Sequence, residues 1–132
     1  MPGPGCLGVS RTRVERLRDA AAFRRVRERG RCCSNQLLVL CVYPNGLEAV
    51  RVGYSVSKRI GNAVRRNRIK RLMRESVRAY GDLIVPGWDV VIIARQRASL
   101  ADYWEMQSSV GHLLGQAGIY RSAQGSTVER LG

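Results

Sequence analysis

Apolar and polar positions along the chain fall into blocks of different period, and those periods predict the elements. The longest helical pattern covers residues 63–80, where a turn of about 100° per residue places Ile69, Leu72, Met73, Val77 and Tyr80 on one side. Asn62 stands where its side chain can cap the first turn, and Gly81 follows as a stop. A shorter helix is expected over residues 20–29, with Asp19 as its N-cap and Gly30 supplying a left-handed residue after the last turn. Phe23 and Val26 share a face of it, and Arg24, Arg25, Arg27 and Arg29 spread around the rest. A third helix ends near Ala117. Ser99 followed by Asp102 approximates a capping box, and Met106, Val110, Leu113, Leu114 and Ala117 recur at i, i+4, i+7, i+8 and i+11.

Between these helices the pattern shortens. Residues 35–43 are a run of Leu, Val and Cys too short and too β-branched for a helix, and they read as a strand. Pro44, Asn45 and Gly46 make a turn. Residues 48–57 then alternate Val50, Val52, Tyr54 and Val56 against Arg51, Gly53 and Ser55, so the two runs are expected to form a hairpin. Residues 31–34 add a short edge strand. Residues 88–94, the most apolar stretch, read as a strand buried on both faces. The chain therefore divides into a flexible basic N-terminal segment at 1–18, one α+β domain at 19–119 and a polar, aperiodic tail at 120–132. No internal repeat is present.

Composition narrows the class of partner. Lysine and arginine number 23 against 10 acidic residues, a formal charge of +13, and Lys58 and Lys70 are the only lysines. So large an arginine excess favours a polyanion, because the guanidinium forks onto phosphate and also stacks on bases. No stretch approaches the roughly 20 apolar residues of a membrane span, and the N-terminus lacks the apolar run of a secretory signal, so a cytoplasmic, membrane-free protein is expected. Cys6, Cys32, Cys33 and Cys41 show neither CxxC spacing nor a framework of pairs, and His112 is far from them, which predicts no metal site and reduced, packed thiols. One histidine and scattered carboxylates offer no general acid/base pair, so no catalytic residue is assigned to the protein; His112 reads as a helix-surface or packing residue.

The chemistry concentrates on residues 63–80. Asn67, Lys70, Arg71, Arg74 and Arg78 fall in one arc opposite the apolar side, with Arg68 at its margin and Glu75 the one acid of the helix. Like charges four apart destabilise a helix by about 0.2 to 0.5 kcal/mol per pair, and Arg65, Arg66 and Arg68 crowd the end where the helix dipole prefers anions. Stability alone does not favour this arrangement, whereas an incoming phosphate backbone reverses both costs. A solvated charged face, the commonest role of such a surface, ordinarily mixes signs, which this one does not.

The run from Val52 to Arg71, Val-Gly-Tyr-Ser-Val-Ser-Lys-Arg-Ile-Gly-Asn-Ala-Val-Arg-Arg-Asn-Arg-Ile-Lys-Arg, resembles the signature of the bacterial ribonuclease P protein, whose hallmark Arg-Asn-Arg is matched by Arg66, Asn67 and Arg68. Phe23, Val26 and Gly30 match that family's first helix, and the resemblance extends over roughly residues 19–114. It implies an α-β-β-β-α-β-α two-layer sandwich with a small central sheet and a left-handed βαβ crossover, although right-handed crossovers prevail in about 98% of cases. It further implies the protein subunit of an endoribonuclease that removes the 5′ leader from precursor tRNA, with catalysis and magnesium belonging to the RNA subunit. By that resemblance Arg65, Arg66, Asn67, Arg68, Lys70, Arg71 and Arg74 bind the catalytic RNA, and Phe23, Val39 and Ser55, with Arg59 nearby, hold the single-stranded leader. Arg27 and Cys41 stand at leader positions where many members carry an aromatic, and Arg27 can substitute by stacking its own plane on a base. The alternative is a structural or ribosomal RNA-binding protein without a role in tRNA processing. A DNA-binding regulator is disfavoured, because a strand rather than a helix leads into the basic helix.

Overall fold

The computed structural model describes residues 13–120, so most of the segments expected to be flexible, 1–12 and 121–132, lie outside the described residues. The elements in chain order are β1 (Arg13–Arg16), α1 (Ala20–Arg29), β2 (Arg31–Ser34), β3 (Leu38–Pro44), β4 (Ala49–Ser55), α2 (Ala63–Ala79), β5 (Trp88–Ala94) and α3 (Tyr103–Ala117). From α1 onward this is the expected order. Short 3-10 turns at Lys58–Ile60, Gly81–Leu83 and Gln96–Leu100 join them.

One sheet, ordered β1-β4-β5-β3-β2, organises the molecule. The expected hairpin does not form, because β5 lies between β3 and β4, antiparallel to the first and parallel to the second. The reason lies in β5 itself. A strand apolar on both faces is most stable at the centre of a sheet, with both edges hydrogen-bonded. The Asn45 turn serves that arrangement, since its side-chain amide donates to the Asp89 carboxylate of β5 and its backbone N–H to Gly87 O. The βαβ crossover is formed by β4, α2 and β5. A second difference concerns residues 13–18: Arg13–Arg16 pairs in parallel with β4, and Leu17 is buried and donates its N–H to Val52 O, so the folded unit begins before residue 19.

Alternation along each strand separates two apolar regions. Leu38, Leu40, Val42, Val50, Val52, Val90 and Ile92 face α2 and α3, meeting Ile69, Met73 and Val77 from one helix and Met106, Val110, Leu113 and Leu114 from the other. Cys41 and Val91 face the other way, under Leu17 and the Ala22 and Val26 side of α1. Sheet and paired helices make the main sandwich, while α1 covers part of the opposite face. Around its edge Phe23, Val39, Tyr43 and Ile93 are only partly buried.

Helix ends follow the expected chemistry with two corrections. Asp19 and Asn62 cap α1 and α2 by accepting from Ala21 N and Arg65 N. Gly30 is not left-handed: its φ is −75°, and its N–H donates to Val26 O. Glycine is needed there because a Cβ would collide with the carbonyl oxygens of Val26 and Val42. The capping box of α3 is Asp102 with Glu105, not Ser99 with Asp102, since Asp102 accepts from Glu105 N while Glu105 accepts from Asp102 N. Residues from Gln96 to Leu100 form a 3-10 turn instead. The left-handed C-terminal glycine occurs at Gly118, with φ 79°.

The expectation of reduced, packed thiols is corrected for Cys32 and Cys41, holds for Cys33, and for Cys6 lies outside the described residues. Cys32 and Cys41 stand opposite each other on β2 and β3, with Cα atoms 4.0 Å apart, and form a disulfide. Cys33 points to the other face, where its thiol donates to Leu113 O of α3 and burial pushes its pKa up. The disulfide closes a loop with a sequence separation of 9. Chain entropy for so short a loop is worth about 2 to 3 kcal/mol. Denaturant unfolding with and without a thiol reductant should show that loss, and Cys32→Ser should match the reduced protein; an unchanged midpoint would mean that the bond does not staple β2.

Candidate nucleic-acid interface

The basic surface begins with the anchoring of α2. Ile69, Leu72, Met73, Ser76 and Val77 are buried, and together they define the inward side of the helix. Tyr80, expected on that side, is half-buried and donates its hydroxyl to Gln107 O of α3. Ser76 was not foreseen as a core residue. Its hydroxyl is satisfied by donating to Leu72 O one turn back, which lets a polar side chain sit at 0% exposure.

With that side fixed, the outward arc holds Asn67, Lys70, Arg71, Arg74 and Arg78. Asn67, Arg71 and Arg78 are exposed, while Lys70 and Arg74 lie half-buried along its flank. At the turn per residue of an α-helix Arg68 lies about 60° beyond Arg71, at one margin of the arc, whereas Arg66 falls on the side of Met73 and Val77, in the first turn of the helix. Arg66 folds back so that its guanidinium donates to Gly61 O at 3.4 Å. Arg65 is exposed at the first turn, beside the backbone of Gly61. Among the described residues none of these cations is in an ion pair; the side-chain salt bridge found there joins Arg51 to Asp89. The ridge also reaches β4. Burial pushes the Tyr54 phenol up to about 12, while Arg74, Arg16 and Arg78 act in the opposite direction.

The residues expected to hold a single strand are only partly brought together. Phe23 lies on the sheet with its ring against Gly53, where a Cβ would come within 2.7 Å of the ring, so glycine at that point of β4 makes room for the aromatic. Phe23, Val39 and Cys41 belong to one apolar group. Val39 and Ser55 lie on either side of Ile93 in the register of the sheet. Phe23 and Arg27 also share a hollow of about 660 Å³ with Arg18, Ala20, Arg24 and Glu28. Arg59 stands apart on the exposed turn after β4, its N–H capped by the Ser57 hydroxyl. Cys41 is 3% exposed and bonded to Cys32, so its sulfur is not presented to a ligand. His112 is an exposed residue of α3, as expected.

Sequence reasoning missed the polar anchor beneath this face. Asp89 is 2% exposed, yet its carboxylate accepts two bonds of 2.7 Å from the Arg51 guanidinium and a third from Asn45. The carboxylate in turn raises the Arg51 pKa. The one acid in an otherwise apolar strand was the available signal, since a buried carboxylate demands a partner.

Comparison with known proteins agrees with this geometry. Residues 12–118 match the family described as Ribonuclease P. The ribonuclease P protein component of Clostridium kluyveri is 46% identical over 110 residues, covering 82% of this chain and 98% of the relative. That of Herpetosiphon aurantiacus is 46% identical over 112 residues, covering 85% and 91%. Among solved structures, the Staphylococcus aureus RNase P protein superposes with a TM-score of 0.70 at 32% identity, covering 80% of this chain and 97% of that one. The Thermotoga maritima protein gives 0.71 at 32% identity, covering 77% and 96%. These matches favour the tRNA-processing reading over a structural RNA-binding protein.

Removing one partner of a buried ion pair strands the other charge. Arg51→Met should therefore lower the unfolding free energy by about 3 kcal/mol, with Arg51→Lys recovering only part of it because an ammonium cannot fork onto both oxygens. Equal stability of Arg51→Met and the parent in denaturant titration would contradict the anchoring role of this pair.

Proposed function

The chain belongs to the ribonuclease P protein family, and on that premise we propose that its two surfaces serve different RNAs: the α2 ridge docks on the catalytic RNA subunit, and the partly covered α1 face of the sheet receives the 5′ leader of precursor tRNA. The activity is that of the holoenzyme, an endoribonuclease that matures tRNA 5′ ends. The observation that carries the division of labour is the outward arc of Asn67, Lys70, Arg71 and Arg74, with Arg68 at its margin and without an internal ion pair among the described residues.

A phosphate backbone suits the ridge in two ways. It relieves repulsion between cations four residues apart, and it brings negative charge to the N-terminal turn, where Arg65 and the first amides of α2 stand. Such contacts orient an RNA without reading its sequence. The α1 face offers different chemistry. The Phe23 ring and Arg27 plane are stacking surfaces for unpaired bases, and Val39, Ser55 and Arg59 extend the path along the sheet. Arg27 and Phe23 share one hollow, which supports Arg27 as a stacking partner where relatives carry an aromatic. Cys41 contributes through packing beneath α1 and not through its sulfur.

Among the described residues no three of histidine, cysteine, aspartate and glutamate come together as a metal site. We assign magnesium to the RNA subunit, with the protein lowering phosphate repulsion and positioning substrate. Among the described residues no helix is long and apolar enough to cross a membrane. Likeness to bacterial ribonuclease P protein components is what supports a cytoplasmic location alongside the RNA partner.

The test adds the purified chain to a ribonuclease P RNA and precursor tRNA at low magnesium. Cleavage at the mature 5′ end should be stimulated, and Arg68→Ala with Arg71→Ala should lose most of that stimulation while the fold is retained. RNA binding without stimulated cleavage would contradict the proposal and return the chain to the structural RNA-binding class.

A further inference from the structure

A second aromatic and basic surface lies beyond the end of the sheet, around Arg95, Arg97 and Trp104. Trp104, in the first turn of α3, is 71% exposed. Tryptophan is highly buried on average, so a free indole face calls for an occupant when its surroundings are organised. Here they are. Tyr103 packs edge-on against Trp104, with ring centroids 5.1 Å apart, and so limits the positions of the indole. Trp104 lines a hollow of about 530 Å³ together with Arg97, Gln36 and Ser108. A second hollow, of about 550 Å³, adjoins it through Gln36 and Arg97 and continues to Arg95 and Gln96. The two make one trough.

Its chemistry is that of a single-strand site. Arg95, Gln96 and Arg97 are all exposed. The one acid on the trough, Glu105, is engaged in the capping box of α3, accepting from Asp102 N. An indole face for a base, a guanidinium for a phosphate and amides for base edges are the elements by which proteins hold unpaired RNA.

The trough also lies on the path out of the proposed leader surface. Val39 and Ser55 flank Ile93 in the sheet. Two residues further along the chain from Ile93 the trough begins at Arg95, whose N–H donates to Leu37 O and whose guanidinium donates to Asn35 O. Gln96 donates its side-chain amide to Arg59 O at 3.5 Å, which ties the trough to the turn carrying Arg59. A strand leaving Val39 and Ser55 along β5 thus meets Arg95, then Arg97, then Trp104.

We propose that this trough, from Arg95 past Arg97 to the exposed Trp104, is a second subsite for single-stranded RNA, in which the outer nucleotides of the 5′ leader stack on the Trp104 indole and pair a phosphate with Arg97. The proposal rests on the leader reading of the α1 face and extends it around the end of the sheet. It predicts that the protein senses leader length as well as leader presence.

The experiment measures affinity of the assembled holoenzyme, under single-turnover conditions, for precursor tRNAs whose leaders are lengthened one nucleotide at a time. With the parent protein, affinity should rise over the first nucleotides and again when the leader reaches the trough. Trp104→Ala should remove that second rise, a loss of about tenfold, and leave short-leader substrates unaffected; Trp104→Phe should keep most of it. Arg97→Ala should reduce the salt dependence on long leaders by about one phosphate contact. Because Trp104 is exposed, Trp104→Ala should melt with the parent. Trp104→Ala behaving as the parent on every leader overturns the subsite and leaves the indole to a protein partner. An equal loss on all leaders, leaderless tRNA included, also overturns it. If the parent holoenzyme itself gains nothing from any leader, the leader reading of the α1 face falls and the subsite with it.

Discussion

The burial of one side of α2 is the constraint on which the rest of the molecule depends. Ile69 and Met73 are at 0% exposure, and Val77 at 2%, against Val50, Val52, Val90 and Ile92 of the sheet. Each such side chain is worth about 1.5 to 3 kcal/mol of transfer free energy, several times the repulsion between neighbouring cations on the other side. Packing therefore wins and fixes the rotation of the helix. Asn67, Lys70, Arg71 and Arg74 face outward because the apolar positions leave them no other direction.

Much of this was legible in the sequence, and the reasons differ by element. The rotation of α2 follows from a 3.6-residue period sustained over about three turns, and α3 from five apolar positions on one stripe, all of which are buried. The run at 88–94 was recognisable as a doubly buried strand. What it displaces was not: inserting β5 between β3 and β4 is a long-range decision that local alternation and a turn at Asn45-Gly46 cannot reveal. The βαβ crossover came from family resemblance, since no local pattern encodes it. β1 escaped notice because a four-residue edge strand rich in arginine has almost no apolar signature beyond Val14 and Leu17. The Cys32–Cys41 pair depends on the register of β2 against β3, which becomes visible only once those strands are paired.

The candidate site divides the same way. The ridge on α2 needed only helical geometry. The proposed leader surface needed tertiary structure, because Phe23, Val39 and Ser55 come from three elements, and Phe23 reaches the sheet only over a glycine that admits its aromatic ring. The bidentate pair of Arg51 and Asp89 lies beneath that surface and holds β4 to β5 at the end opposite Ser55 and Ile93. One end of the sheet is thus pinned by a buried ion pair, while the other opens toward Arg59, Arg95 and Trp104. A charged protein of this size could bind RNA through net charge alone; the arrangement argues instead for distinct faces with distinct chemistry.

The most direct test separates orientation from charge. Assembly with the ribonuclease P RNA is followed as a function of salt for two triple variants of equal charge, Arg68/Arg71/Arg74→Ala on α2 and Arg24/Arg25/Arg29→Ala on α1. If the α2 ridge is the docking surface, the first variant should lose about three units of log–log salt slope and the second almost none. Equal losses in both would show that the RNA responds to total charge and would contradict the account.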